Sequence, residues 1–341
     1  MSEKQKPDFA ENEDVKNLHS MDVYKDVLTG DLSWLRDNDY ILRGYRTPLT
    51  FWESIKRSVS FVRMNRSLFH SHNETMNVWT HLIGTILLFF LLYLTYAIPV
   101  DHFTTAESVT SKVVGVDAMV KGEIQSLKSG GDGAVPRWPI TVFTLCAIRC
   151  LLGSTVFHNF LSTTRKTRAI LQTLDYYGIC ILISGSYVPV IYYSFYCYPT
   201  YMKMHLIIVV VLNVLNVCVM ATPKFRSPAY RSVRARFFTI VACYAVIAII
   251  HLFILDGLKN PLFTVLFWYM IGMGGTYILG AVLYGTRFPE KFWPGHFDYV
   301  VRCSFFASLL VCLAPAVPCV HRHCRSVPLC RMLSDLRGSL R

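Results

Sequence analysis

The sequence predicts an all-α polytopic membrane protein, a seven-transmembrane helical bundle with its N-terminus in the cytosol. Hydrophobic residues fill 53% of the 341 positions and charged residues only 16%, a balance that suits lipid better than a soluble core. Seven apolar stretches, near 77–99, 139–160, 174–196, 204–222, 237–255, 262–284 and 300–320, each approach the roughly 20 residues a helix needs to span the hydrocarbon layer. The Lys and Arg residues gather in alternate connections between those stretches, the asymmetry that orients a membrane chain. A barrel would need many short alternating strands, which this pattern lacks.

Residues 1–70 form a cytosolic N-terminal region. Its first 20 residues are polar and mixed in charge, with neither the apolar segment of a signal peptide nor the composition of a packed core. Asp31 to Arg46 has enough apolar residues to fold against a partner surface. From Pro48 to Phe69 apolar and aromatic residues alternate with Lys56, Arg57, Arg63 and Arg66 at helical spacing, which fits a helix lying in the membrane interface.

Residues 71–320 form the seven-helix membrane domain, interrupted by an external insertion at 101–136 that carries Ser-Gly-Gly-Asp-Gly-Ala. Arg165, Lys166 and Arg168 form a basic loop after the second span, and Lys224, Arg226, Arg231, Arg234 and Arg236 another after the fourth. Both share a side with the N-terminal basic cluster. In the sixth span Gly272, Gly274, Gly275 and Gly280 suggest close helix packing. Residues 321–341 are a basic, Cys-containing tail whose position conflicts with the charge rule: seven spans leave Arg322, Arg325, Arg331, Arg337 and Arg341 outside. The excess of 34 Lys and Arg over 22 Asp and Glu is thus one of lipid headgroups and topology, and nucleic acid is excluded as a partner.

Chemistry concentrates at 154–175. Ser154 and His158 are four residues apart and share a helix face, one turn of about 5.4 Å separating them. The second span descends as the third rises, so Asp175 falls at the depth of His158. Polar groups at membrane depth mark function more often than chance. A metal-bound histidine uses one nitrogen and donates from the other to a group such as a carboxylate, and a water on such a metal with Asp175 as proton acceptor is a hydrolytic centre. The structural alternative is that Ser154 bonds its own backbone and His158 is a satisfied interfacial residue; one imidazole does not hold zinc, which takes three protein ligands and a water. Arg149, nine residues before His158, points half a helical rotation away. Asn213 and Asn216 are placed to join helices, His251 is structural, and Cys146, Cys150, Cys180, Cys218 and Cys243 pack as small apolar residues. Asn65 and Asn73 begin glycosylation sequons that a cytosolic position leaves unused.

Several motifs occur in order along the chain: Asp-Tyr-Ile-Leu-Arg-Gly-Tyr-Arg at 39–46, the stretch from Phe69 to Gly84 with His-Asn-Glu-Thr and Trp-Thr-His, Ser-Thr-Val-Phe-His at 154–158, Leu-Asp-Tyr-Tyr-Gly-Ile at 174–179, Gly-Ser-Tyr-Val-Pro at 185–189 and the run from Tyr284 to Asp298. Together they resemble the progestin and adipoQ receptor family, close to the adiponectin receptors and the heptahelical, haemolysin-III-related proteins. The resemblance covers about residues 35–298 apart from the insertion. It implies seven helices, a cytosolic N-terminus and a zinc ion near the cytosolic end. Ser154, His158 and Asp175 match the motif serine, the first zinc histidine and the acidic residue. The family's other two zinc histidines, spaced His-x-x-x-His, fall at Ser304 and Ser308. Neutral hydroxyls are poor zinc ligands, so the resemblance favours a membrane receptor or sensor for a lipid-like or hormone ligand. Its alternative is an intramembrane zinc-dependent hydrolase of lipid amides such as ceramide, impaired by the two missing histidines. Beyond Asp298 the resemblance ends, Lys disappears, and six Arg and five Cys crowd into 299–341, which suggests a changed reading frame, an unspliced end or a divergent tail. Cys319, His321, His323, Cys324 and Cys330 are metal-ligand types without a standard finger spacing. The partners expected are membrane lipids, a lipid or hormone ligand and an unidentified cytosolic signalling protein.

Overall fold

The computed structural model describes residues 27, 30, 32–36, 38–46, 48, 62, 65, 67–97, 136–196, 198–256 and 261–299. Six long helices dominate: α1 (Thr75–Ala97), α2 (Trp138–Phe160), α3 (Arg165–Ser194), α4 (Pro199–Ala221), α5 (Arg231–Asp256) and α6 (Pro261–Thr286). No strand occurs among the described residues. Helices α1 to α5 are long and apolar enough to cross a membrane, and their sides display Leu, Ile, Val and Phe outward. In water that surface would be prohibitive; in lipid it is the solvated face. The chain is an integral, multi-pass membrane protein. The expected seventh span with Ser304 and Ser308, the insertion up to residue 135, most of the interfacial helix and the tail lie outside the described residues.

Helix ends depart from the apolar stretches in one consistent way. Helix α3 begins at Arg165, nine residues before the expected 174, so the predicted basic loop is the helix's first turn. Thr164 caps it, its hydroxyl accepting from the Thr167 N–H at 3.1 Å. Helices α4 and α5 likewise begin at Pro199 and Arg231 rather than 204 and 237. Hydropathy registers only the depth of the hydrocarbon, whereas a helix continues into the headgroup layer, where Arg and Lys are at ease.

Consecutive helices pack side by side, α2 against α3 most extensively, and α5 also touches α3 and α4. At the α2–α3 contact a Cβ added to Gly178 would stand 3.1 Å from the Cys150 Cα, and one at Gly185 2.6 Å from the Cys146 Cβ. Small residues let these backbones approach. Of the four glycines expected to do this in α6, Gly272, Gly274 and Gly275 do not among the described residues, since an added Cβ there would meet none of them within 4 Å, whereas Gly280 is buried and lines a cavity. Helical glycine alone does not reveal which face has a neighbour. Cys218 and Cys243, expected among packed groups, are also exposed, while Cys150 and Cys180 are buried.

Arg234 is fully buried at the start of α5. Its guanidinium donates to the carbonyls of Phe225 (2.6 Å) and Ser227 (2.7 Å) and to the Tyr284 hydroxyl (2.9 Å), and lies over the Tyr176 ring at 4.9 Å. One side chain therefore joins α3, the turn before α5, and α6, with its charge spread over carbonyls and a π face.

Candidate functional site

Helix α2 carries Ser154 and His158 on one face, as their spacing predicts, and α3 brings Asp175 beside them. Ser154 and His158 both lie near enough to bear on the charge of the Asp175 carboxylate. These three residues and His81 line a cavity of about 210 Å3. The rest of its wall is largely apolar, with Leu151, Ile179, Leu182, Phe238 and Ile278 among the side chains.

Two histidines are oriented by hydrogen bonds. His158 Nδ1 donates to Glu74 Oε2 at 2.9 Å. His81 Nδ1 donates to the Asn77 carbonyl. The two rings stack with centroids 5.5 Å apart. Glu74 Oε2 also accepts from Asn77 Nδ2 at 2.6 Å, so one carboxylate holds a ring from α2 and an amide from α1.

A cap closes this end of the bundle. Arg46 donates to the carbonyls of His158 (2.6 Å) and Asn159 (2.8 Å) at the end of α2, where the unsatisfied carbonyls and the negative end of the helix dipole favour a cation. Burial pushes its guanidinium down to about 10, and Glu74 nearby acts to raise it. The segment around Arg46 is bound in turn: the Leu42 N–H donates to Asp298 Oδ1 (3.0 Å), the Gly295 N–H to the Tyr40 carbonyl (3.0 Å) and the Asn73 N–H to the Gly44 carbonyl (2.8 Å). Gly44, at φ +78, is in the left-handed region, and a Cβ there would come within 2.8 Å of Tyr299 Cε1. The first and last of the sequence motifs thus dock on each other above His158.

Sequence reasoning missed three participants. Glu74 and His81 sat inside a recognisable motif without an assigned role, and only their proximity to His158 reveals one. Arg149 was expected to face elsewhere. Its guanidinium instead reaches the α2–α3 contact: Nη1 would be 2.5 Å from a Cβ at Gly153 and 3.7 Å from one at Gly178, and its charge acts on Asp175. Two glycines open the path, and Cβ direction says little about where so long a side chain ends. Asn216 is buried, but its amide makes no hydrogen bond to another described residue, so the expected helix-to-helix bridge is not made among them. Asn73 is buried beneath the cap, which by itself blocks its sequon.

Among the described residues no three His, Cys, Asp or Glu side chains converge closely enough to hold a metal ion. His158 and His81 each donate from Nδ1 to a protein acceptor, as metal-bound imidazoles do, but two imidazoles with no third converging ligand among the described residues fall short of the three that zinc takes. The described donor set does not fit zinc. It does fit hydrogen bonding to the polar end of a molecule in the cavity, through two imidazoles, a hydroxyl and a carboxylate.

Residues 69–304 match the family described as Haemolysin-III related. The chain is 35% identical over 265 residues to the adiponectin receptor protein of Drosophila melanogaster, covering 78% of this chain and 51% of the relative. It is 32% identical to progestin and adipoQ receptor-like protein 1 of Caenorhabditis elegans, covering 78% and 52%. Against the ADIPOR-like receptor IZH2 of Saccharomyces cerevisiae it is 34% identical over 271 residues, covering 78% and 72%. The chain spans about half the length of the first two relatives. With a membrane-spanning helical bundle, a family match over most of its length and relatives bearing these names, the chain belongs to the haemolysin-III-related family, among the progestin and adipoQ receptor proteins.

Proposed function

We propose that this chain is a membrane receptor or sensor whose bundle binds an amphiphilic, lipid-like ligand, with the ligand's polar end at His81, Ser154, His158 and Asp175. The observation that supports this is the cavity itself, which has one polar end and a largely apolar wall. Such a wall takes an acyl chain, gaining about 0.8 kcal/mol per buried CH2. In this reading the chain crosses the membrane seven times with a cytosolic N-terminus, and the cap formed by residues 38–46 and 287–299 faces the cytosolic partner. An impermeant thiol reagent applied to intact cells should label Gly130→Cys and spare Ser227→Cys; the opposite pattern reverses the orientation.

The enzymatic reading draws on the same residues, because Asp175 beside Ser154 and His158 has the composition of a proton-transfer centre. One experiment separates the two. The reconstituted chain is incubated with a labelled ceramide, and fatty-acid release is followed beside equilibrium binding, with Asp175→Asn in parallel. Saturable binding without release is the receptor outcome. Release that depends on Asp175 and stops with a zinc chelator would establish the hydrolase instead.

A further inference from the structure

A second cluster of titratable rings lies at the other end of the bundle. His205, near the start of α4, is 2% exposed, and its Nε2 lies 2.9 Å from Nδ1 of His251, near the end of α5. The other nitrogen of His205 lies 2.6 Å from the Tyr244 hydroxyl. Phe195 packs on both imidazoles, at 4.6 and 5.6 Å between centroids, and Tyr201 meets His251 edge-on at 4.7 Å. Among the described residues the titratable groups facing the pair are these two tyrosines; Lys203, two positions before His205, is exposed on a different face. No described carboxylate forms an ion pair with either ring.

Between this cluster and the cavity, a side chain from α3 enters the hydrogen bonding of α5. The Tyr187 hydroxyl accepts from the Ala245 N–H (2.9 Å) and donates toward the carbonyls of Val241 (2.9 Å) and Ala242 (2.7 Å). The Ala245 N–H and the Val241 carbonyl are the two ends of one i to i−4 position of the helix ladder. A side chain inserted into that ladder is a recognised cause of helix bending. On one side of the insertion lie Ala235, Phe238, Thr239 and Ala242, all lining the cavity. On the other lie Tyr244 and His251.

We propose that the His205–His251 pair is a proton-operated latch on α5, and that opening it moves the cavity wall through a hinge at Tyr187. The neutral pair has one hydrogen between its facing nitrogens. A first added proton makes that bond charge-assisted and keeps the latch shut. A second leaves two cations with N–H groups opposed across 2.9 Å, walled by Phe195 and Tyr201, and the rings must part. Imidazole is the side chain whose charge ordinarily changes between about pH 5 and 8, so acidification is the stimulus it registers. Because the shut pair already retains the first proton, opening takes up one further proton and follows the slope of a single titration. The inference does not depend on which ligand the cavity takes.

Hydrogen exchange on the full chain in lipid nanodiscs, at pH 7.5 and pH 5.0 and corrected for the intrinsic pH dependence of exchange, tests it. The expected result is a loss of protection of roughly tenfold across residues 235–252 at the lower pH, with α2 unchanged. His205→Gln and His251→Gln should each abolish that difference; the half-buried His251 site is the safer variant if the buried one fails to fold. Tyr187→Phe should confine the loss to residues 243–252. Equal protection at the two pH values in the unmodified chain, or a pH difference that survives His251→Gln, overturns the latch. A loss that still reaches residues 235–242 in Tyr187→Phe overturns the hinge.

Discussion

The two ends of this bundle use the same side chains under opposite rules. At one end His158 is held by a carboxylate, Glu74, which also bears on the half-buried Arg46, so the ring belongs to a network with fixed charges. At the other, His205 is held by a phenol and a second imidazole, with no described charge in contact. A histidine's role is therefore set by its partner rather than by its depth. A carboxylate fixes a tautomer and orients the ring; an imidazole partner leaves the proton's position open.

The largest expected effect tests the charged end. Glu74→Ala removes the carboxylate that holds His158 Nδ1 in a largely buried pair and that bears on the half-buried Arg46, and should cost about 3–5 kcal/mol, measured as a drop in thermal unfolding temperature in detergent. Glu74→Gln keeps an acceptor for the His158 ring and should recover part of it; if Ala and Gln behave alike, the carboxylate is not what holds this end together.

Next in size are the glycines. Gly185→Ala pushes a methyl against Cys146 and should destabilise by about 1–3 kcal/mol, whereas Gly274→Ala, facing open space among the described residues, should change stability by less than about 0.5 kcal/mol. Chemical unfolding of both variants checks the pair. Equal losses would place an undescribed neighbour on α6.

At the uncharged end Tyr244→Phe removes one neutral hydrogen bond, worth about 1 kcal/mol. A cost as large as that of Glu74→Ala would erase the contrast between the ends. The smallest expected signal is in metal content: elemental analysis of the purified chain should find no stoichiometric zinc, since the described donors do not converge and Ser304 and Ser308 replace imidazoles. Zinc that is lost on His158→Ala would show that other ligands complete a site.

Much of this was legible in the residues. The apolar runs located the helices because lipid demands continuous hydrophobicity, and they failed at the ends because charged first turns such as Arg165 to Arg168 look like loops. The spacing of Ser154 and His158 placed them on one face, and helix direction put Asp175 at their level. Glu74 and Arg46 were not legible as site residues. They reach His158 across 84 and 112 positions, and no local periodicity encodes a contact of that separation. Arg149 escaped for a different reason, since its position depends on Gly153 and Gly178 leaving room rather than on its own register.

The cap over His158 also imposes an order on biosynthesis. Leu42 and its partner Asp298 lie 256 positions apart. A ribosome adding about 5–20 residues per second separates their synthesis by about 10–50 s. During that interval Ile41, buried in the finished protein, has no Asp298 loop to close over it, and the spanning helices enter the membrane with the motifs of this end unjoined. Completion of the chain to Asp298 is thus the event that lets the first motif dock, and a nascent chain stalled before that point would present an open end to chaperones and proteases.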